Sequence, residues 1–286
     1  MKFRIAVVAA LLVFASGAGA SSLGKTPAKP ELKSASALIV DGENGQVLFE
    51  RDAAHVAPIA SITKLMTALV VLDGQQSLDE KIEITKADVW KGKGAFSRLP
   101  VGAKLTRAEL LKLALTASEN RAARVLGRNY PGGMNAFVKT MNIKAKALGM
   151  SKTRFDDPSG LSNNNVSNAR DLAKLVSAAS RDSRIREFST LHQVEVRAGK
   201  SRLTYRNTNL LIGKSDWDIN VQKTGFTNDA GECLVMEAVI GERPVVMVLL
   251  NSFGKLTRTA DARRVRKWME AQDQPAVAGA AELAKK

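Results

Sequence analysis

Apolar residues fall into distinct rhythms along this chain of 286 residues. Near the start, Ala37-Leu38-Ile39-Val40 and Val47-Leu48-Phe49 flank a turn that contains Asn44-Gly45. Asn-Gly tolerates the positive φ angles of a tight turn, so the two runs predict a β-hairpin. Ile62, Leu65, Met66, Leu69 and Val70 then cover most of the circumference of a helix from about Ser61 to Leu72. A helix apolar nearly all round is buried inside its domain. Asp73-Gly74 stops it. Residues 78–105 read as loop with short strands. Thr106-Arg107-Ala108-Glu109 is a capping box opening a helix to about Leu115. A second helix starts near Asn120 and ends before Tyr130-Pro131-Gly132-Gly133. A third runs from about Met134 to Leu148 and ends at Gly149, a C-cap residue.

Asp156-Asp157-Pro158-Ser159-Gly160 is a turn, and Asn168 caps a helix from about Ala169 to Ala179. From Gln193 the period changes to that of strands. Val194 to Arg197 and Arg202 to Tyr205 form a hairpin over Ala198-Gly199-Lys200-Ser201. Ile219 to Thr224, Leu234 to Ile240 and Val245 to Leu250 follow, the last two joined by Gly241-Glu242-Arg243-Pro244. An amphipathic helix from about Thr257 to Ala271 closes the pattern. Strands at both ends and helices between them predict an α+β fold whose terminal strands share one sheet.

The ends and the charge narrow the setting. Lys2 and Arg4, the apolar run Ile5 to Phe14 and the small residues Ala18-Gly19-Ala20 read as a signal peptide over residues 1–20. The apolar run is shorter than the roughly 18 residues of a membrane span. Residues 21–34, rich in Ser, Pro and Lys, read as a tether. Residues 35–271 form the folded domain, and 272–286 a flexible tail. The chain carries 43 basic and 28 acidic residues, a net charge of +15. Export makes nucleic acid an unexpected target for this basic excess. The excess suits weak association with anionic wall polymers or a membrane surface, and equally a plain solvated basic surface. Cys233 is the single cysteine, so no internal disulfide forms. Its apolar neighbours make it a core residue, and it has no metal-ligand spacing.

Lys223-Thr224-Gly225 is the stretch with the most chemical content. A cation, a hydroxyl and a backbone without a side chain lie in a row at a strand end. An extended anionic ligand fits such an edge. Ser61 and Lys64 stand three apart on one face at the start of the buried helix. A serine hydroxyl attacks only when a base takes its proton, and a lysine serves if burial and a neighbouring cation, Lys223, lower its pKa. Ser22-Leu23-Gly24-Lys25 and Ser252-Phe253-Gly254-Lys255 share the spacing, but neither starts a buried helix. Ser118-Glu119-Asn120 lies at a break between helices, where a cap is the plain reading. The functional reading makes Ser118 a proton relay and Asn120 an amide donor. Ser162-Asn163-Asn164 has the same pattern. His55 and His192 leave a Ser-His-Asp triad open, although no serine has the Gly-x-Ser-x-Gly setting.

Together the three motifs, spaced 57 and 105 residues apart, resemble those of the β-lactamase and D,D-peptidase superfamily of serine enzymes. Ser61-Ile62-Thr63-Lys64-Leu65-Met66-Thr67, Ser118-Glu119-Asn120-Arg121-Ala122-Ala123, Tyr130-Pro131-Gly132-Gly133 and Asn207-Thr208-Asn209 are similar to the low-molecular-mass penicillin-binding proteins. Lys223-Thr224-Gly225-Phe226-Thr227, Ala230-Gly231-Glu232-Cys233-Leu234-Val235-Met236 and Phe253-Gly254-Lys255 resemble their type-7 branch, the D-alanyl-D-alanine endopeptidases. The resemblance covers residues 35–271 and implies an antiparallel sheet flanked by helices, with a mostly helical subdomain. It implies a Ser61 acyl-enzyme on peptidoglycan stem peptides, without cofactor or metal. Lys64 would be the base and Ser118 the relay. Backbone N–H groups of Ser61 and Phe226 would form the oxyanion hole. Lys223 and Thr224 would hold a carboxylate of substrate or β-lactam. Asn168 stands where the branch is expected to carry threonine. The chain also ends soon after its last helix, which suggests a soluble periplasmic form without an added β-domain or membrane tail.

Rival readings remain open at this level. Class A β-lactamases place a deacylating glutamate between the second and third motifs, and Asp156 to Asp171 contains none. A non-enzymatic wall-binding protein would not need Ser61, Lys64 and Lys223 together. A carboxypeptidase acting on uncrosslinked pentapeptides uses the same site as an endopeptidase, and only the branch resemblance favours the latter.

Overall fold

A computed structural model of the protein describes residues 29–92, 96–254 and 256–273. The expected signal peptide, residues 21–28 of the tether, Lys255 and the tail beyond residue 273 lie outside the described residues. In chain order, β1 (Ser34–Asp41) and β2 (Val47–Arg51) are followed by β3 (Ala57–Pro58), a 3-10 turn over Ala60–Ile62, and α1 (Thr63–Asp73). Next come β4 (Lys81–Glu83), β5 (Lys104–Thr106), α2 (Arg107–Thr116), α3 (Asn120–Arg128), α4 (Gly133–Ala147), β6 (Val166–Ser167), α5 (Ala169–Ala179) and α6 (Ser183–Thr190). The chain ends with β7 (Gln193–Ala198), β8 (Ser201–Arg206), β9 (Asp218–Thr227), β10 (Gly231–Ile240), β11 (Arg243–Ser252) and α7 (Thr257–Asp273).

The main sheet has the order β2-β1-β11-β10-β9 with every neighbour antiparallel. The first and last strands of the chain do share it, and β9 is an edge. Its central strands read as continuous apolar runs because both faces are covered. On one face Leu38, Val40, Val235, Val246 and Val248 pack against the helical part. On the other, Ile39, Leu234, Met236 and Met247 meet Ala262, Val265 and Met269 of α7. Every residue of α1 from Thr63 to Val71 is buried, which explains why its sequence is apolar almost all round.

Several boundaries differ from expectation. Ser34, placed in the tether, already pairs with Ser252 as the first residue of β1. Its backbone and hydroxyl both donate to the buried carboxylate of Asp261, at 2.7 and 2.6 Å. Ser61 lies in the 3-10 turn, and α1 itself starts at Thr63. Residues Arg243 and Pro244 belong to β11, so the last turn shrinks to Gly241-Glu242. The helix α6 has no counterpart in the periodicity reading. It spans eight residues and is capped by Asp182, whose side chain accepts from Arg184 N and Ile185 N. The capping box at Thr106 and Glu109 and the cap at Asn168 form as expected.

What positions Ser61 is a clamp on residues 59–61. Ile59 N donates to Asn165 O at 3.0 Å. Thr63 Oγ donates to Ala60 O at 2.8 Å and accepts from Asn165 Nδ2 at 3.0 Å. Gly160, at φ +83°, lies so close that a Cβ there would sit 1.9 Å from Ala60 O. Gly160→Ala therefore adds a backbone clash to the left-handed strain and should cost more than about 3 kcal/mol. Gly102→Ala, at φ +88° with open space around it, should cost only about 1 kcal/mol. Urea unfolding midpoints of the two variants test this, and equal losses would refute the clamp.

Candidate active site

Lys64 is the centre of the site. It occupies the first turn of α1 with its side chain fully buried. Its Nζ donates to Ser61 Oγ at 2.7 Å, to Asn120 Oδ1 at 2.7 Å and to Ser159 O at 2.6 Å. The spacing of three places Ser61 and Lys64 one above the other, although Ser61 is in a 3-10 turn. Burial lowers the Lys64 pKa to about 7, against the pull of the carboxylates of Asp157 and Glu119, which raise it. The neutral amine keeps two N–H groups and one lone pair. Asn120 Oδ1 and Ser159 O can only accept, so they take the two N–H groups. The lone pair is left facing the Ser61 hydroxyl, which is the arrangement a general base needs.

Asn120 is the first residue of α3, and its carboxamide oxygen on Lys64 leaves Nδ2 as a donor toward a ligand. Ser118 is not a cap. The N-cap of α3 is Glu119, whose side chain accepts from Ala122 N. Ser118 instead sits at φ +58°, a left-handed conformation that a non-glycine residue adopts at a cost. It lines a cleft of about 280 Å³ with Asn120, Arg98 and Arg206. Ser61, Lys64 and Asn120 are thus joined directly by hydrogen bonds. Ser118 shares the cleft with Asn120, and its hydroxyl has no hydrogen bond to another described residue.

The β9 edge reaches the same place. A Cβ on Gly225 would lie 2.9 Å from Ile59 O and 3.3 Å from Ser61 N. Only a glycine lets the strand come this close to the nucleophile, as the sequence suggested for this triplet. Phe226 follows, half exposed at 57%. Thr224 Oγ is 2.6 Å from Thr208 Oγ. Lys223 is fully buried and donates to Thr224 O at 2.9 Å, with no other acceptor for its amine among the described residues. Burial first, then the charges of Lys64 and Arg258, hold its pKa well below the usual lysine value. The sequence reading assigned part of the Lys64 shift to Lys223. Burial is the first cause of the shift at Lys64, and repulsion between the two ammonium groups disfavours charge on both lysines.

Four contributors carried no assigned role in the sequence reading. Ser159 acts through a backbone carbonyl, which carries no residue signature. Asp157 accepts from Ser159 N, Ser159 Oγ, Gly160 N and Ser162 N, so its carboxylate is fully committed to its own turn. The pattern Asp-Pro-Ser-Gly is the one available signal for that turn. Thr208 is a partner of the third motif. Arg258 of α7 donates to Gly225 O at 2.8 Å and pairs with Glu232 at 2.6 Å, bracing β9 from behind. Cys233 is buried with its pKa pushed up to about 11, chiefly by burial, so its thiol is a core group. Among the described residues, no cluster of three or more His, Cys, Asp or Glu side chains could hold a metal ion.

Comparison with known proteins agrees with this geometry. The family model described as D-alanyl-D-alanine carboxypeptidase matches residues 23–254. A D-alanyl-D-alanine endopeptidase of Pseudomonas aeruginosa is 49% identical over 257 residues, covering 89% of this chain and 83% of that protein. One from Escherichia coli is 45% identical over 276 residues, covering 94% and 89%. The crystal structure of the Streptomyces K15 DD-transpeptidase superposes with a TM-score of 0.79 at 28% identity, covering 85% of this chain and 99% of that one. A D-alanyl-D-alanine carboxypeptidase of Mycobacterium tuberculosis superposes with a TM-score of 0.78 at 27% identity, covering 87% and 95%. The three motifs, the α+β fold and these matches place the chain in the D-alanyl-D-alanine carboxypeptidase family of serine peptidases.

Proposed function

We propose that the protein hydrolyses D-alanyl bonds in peptidoglycan, with the D-alanyl-meso-diaminopimelyl crosslink as its main substrate. The observation that carries this reading is the buried Lys64 amine on the Ser61 hydroxyl at 2.7 Å. Lys64 takes the Ser61 proton as Oγ attacks the D-alanyl carbonyl. Backbone N–H groups of Ser61 and Phe226 receive the developing oxyanion, a contribution on the order of 10²–10³ in rate per donor. Collapse breaks the C–N bond, and the leaving amine takes a proton by way of Ser118. Water then hydrolyses the acyl-enzyme to free acid and Ser61. Asn120 Nδ2 holds a substrate carbonyl, and Lys223 and Thr224 hold the carboxylate beside the scissile bond.

Two features favour a peptidase that traps β-lactams over a β-lactamase. No glutamate lies in the 156–171 loop, and the carboxylate of Asp157 is spent on its own turn. The identity to the two endopeptidases, at 49% and 45%, favours crosslink cleavage over D-alanine release. We also infer that the enzyme works in the periplasm, with residues 1–20 as its export signal. No helix of the described residues is long and apolar enough to cross a membrane.

Benzylpenicillin should leave a long-lived adduct on Ser61, visible by intact mass. Ser61→Ala should lose both the adduct and peptide cleavage, the latter by roughly 10⁴-fold or more. Rapid multiple-turnover hydrolysis of penicillin by the wild type would overturn this reading. Because the neutral form of Lys64 is the base, acylation should slow as pH falls through about 7 and level off above it. A rate constant flat from about pH 5 to about pH 9 would remove Lys64 from the role. Purified crosslinked muropeptides should be split into monomers, followed by chromatography. Intact dimers alongside D-alanine release from pentapeptides would instead identify a carboxypeptidase.

A further inference from the structure

We propose that the groove between residues 207–214 and the start of α7 is a carboxylate-binding subsite for the second stem peptide of a crosslinked substrate. The inference rests on the endopeptidase reading and extends it to the source of substrate choice. The need for such a subsite follows from the substrates. In an uncrosslinked pentapeptide, the nitrogen released from the scissile bond sits beside the terminal carboxylate of D-alanine. In the crosslink, it sits beside a free carboxylate of the diaminopimelyl residue. Lys223 and Thr224 meet the same group in both cases and cannot tell them apart. Discrimination requires contacts with parts that only the crosslinked molecule has, namely a second peptide with further carboxylates and alanyl methyl groups.

The groove encloses about 630 Å³, and Arg206 lines both it and the cleft that holds Ser118 and Asn120. No acidic residue lines it among the described residues. The side chains of Lys214 and Arg263 are exposed on its walls and have no ion pair or hydrogen bond to any described residue. Asp216, in the same loop as Lys214, is held by Arg266 at 3.5 Å. Asn209 adds a buried donor. It is 3% exposed, its Oδ1 accepts from Leu211 N at 3.1 Å, and its Nδ2 has no acceptor among the described residues. A buried amide donor without a partner is costly. The first turn of α7 lines the same space, bringing the positive end of that helix. Guanidinium and ammonium donors around one space suit a carboxylate. Leu210 and Leu256, 55% and 62% exposed, offer apolar surface beside these donors for alanyl side chains.

The groove is also tied to the third motif. Thr208, between the lining residues Asn207 and Asn209, holds Thr224 through the contact at 2.6 Å. A peptide seated there rests on the wall that supports the carboxylate site.

The test uses the full chain and the double variant Lys214→Ala with Arg263→Ala. Three quantities are measured: kcat and KM on a purified crosslinked disaccharide-tetrapeptide dimer, the same on uncrosslinked disaccharide-pentapeptide, and the rate of acylation by benzylpenicillin. The expected result is a rise of about tenfold in KM for the dimer, with the pentapeptide and penicillin values unchanged. Unchanged dimer kinetics would overturn the proposal. So would a parallel fall in all three, which would mean structural damage. If the wild type fails to cleave the dimer at all, the endopeptidase reading falls by itself. Titration of the dimer onto penicilloylated wild type and variant then decides the groove. A loss of about tenfold in affinity in the variant supports it, and equal affinity overturns it.

Discussion

The structure depends on keeping one amine dry. Moving a lysine ammonium out of water costs several kcal/mol unless acceptors replace the lost hydration. Lys64 receives three, and they come from three separate regions: the 3-10 turn at Ser61, the start of α3 at Asn120, and the 157–160 turn at Ser159. The helical elements around α1 must therefore assemble in one arrangement for the amine to be satisfied. Asp157 and Glu119 limit how far its pKa can fall. With burial alone the group would be neutral over a far wider range of pH. With the two carboxylates it stands near 7, where a base is both available and basic enough to act.

The second constraint is steric. Residues 59–61 are held from both sides by backbone without side chains, Gly160 from the helical side and Gly225 from the sheet edge. Ala60 itself sits at φ +47° and Ser118 at φ +58°. Such backbone persists only where the surroundings determine it fully. At Ala60, Asn165, which accepts from Ile59 N and donates to Thr63 Oγ, and the bracing of Gly225 by Arg258 supply that determination. A shift of about 1 Å at Ser61 would cost on the order of 10²-fold in rate, so strain spent on its placement is put to use.

Local rules made much of this legible. Asn44-Gly45 announced the hairpin, Thr106 and Glu109 the start of α2, and the apolar circumference of α1 its burial. Lys223-Thr224-Gly225 announced a strand that lets another backbone approach. What stayed hidden depends on long-range contacts. The left-handed Ser118 cannot be read from Ser-Glu-Asn, because tertiary packing imposes it and Glu119 takes the cap. Ser61 falls outside α1 because Asn165 and Gly160, about a hundred residues later, set the path of the chain. The Ser159 carbonyl has no sequence mark. Arg258 looks like any basic residue of an amphipathic helix, and only the packing of α7 behind β9 gives it a carbonyl to hold. The helix α6 is short and polar enough for its Asp182 cap to be the main sign of it.

The two buried lysines then divide the electrostatic work. Burial first, then the charges of Lys64 and Arg258, hold the Lys223 pKa well below the usual lysine value, and burial lowers that of Lys64 to about 7. On the proposed roles, a substrate carboxylate arriving at Lys223 supplies the counter-charge that the protein withholds. That counter-charge favours the ammonium form of Lys223, and a charged Lys223 disfavours a charge on Lys64. The carboxylate that orients the substrate thereby helps keep the base neutral at the moment it is needed. A ligand without that carboxylate loses orientation and also leaves the base easier to protonate. Binding and activation are coupled because both lysines are buried within one small site, and Gly225 is what allows β9 to bring them there.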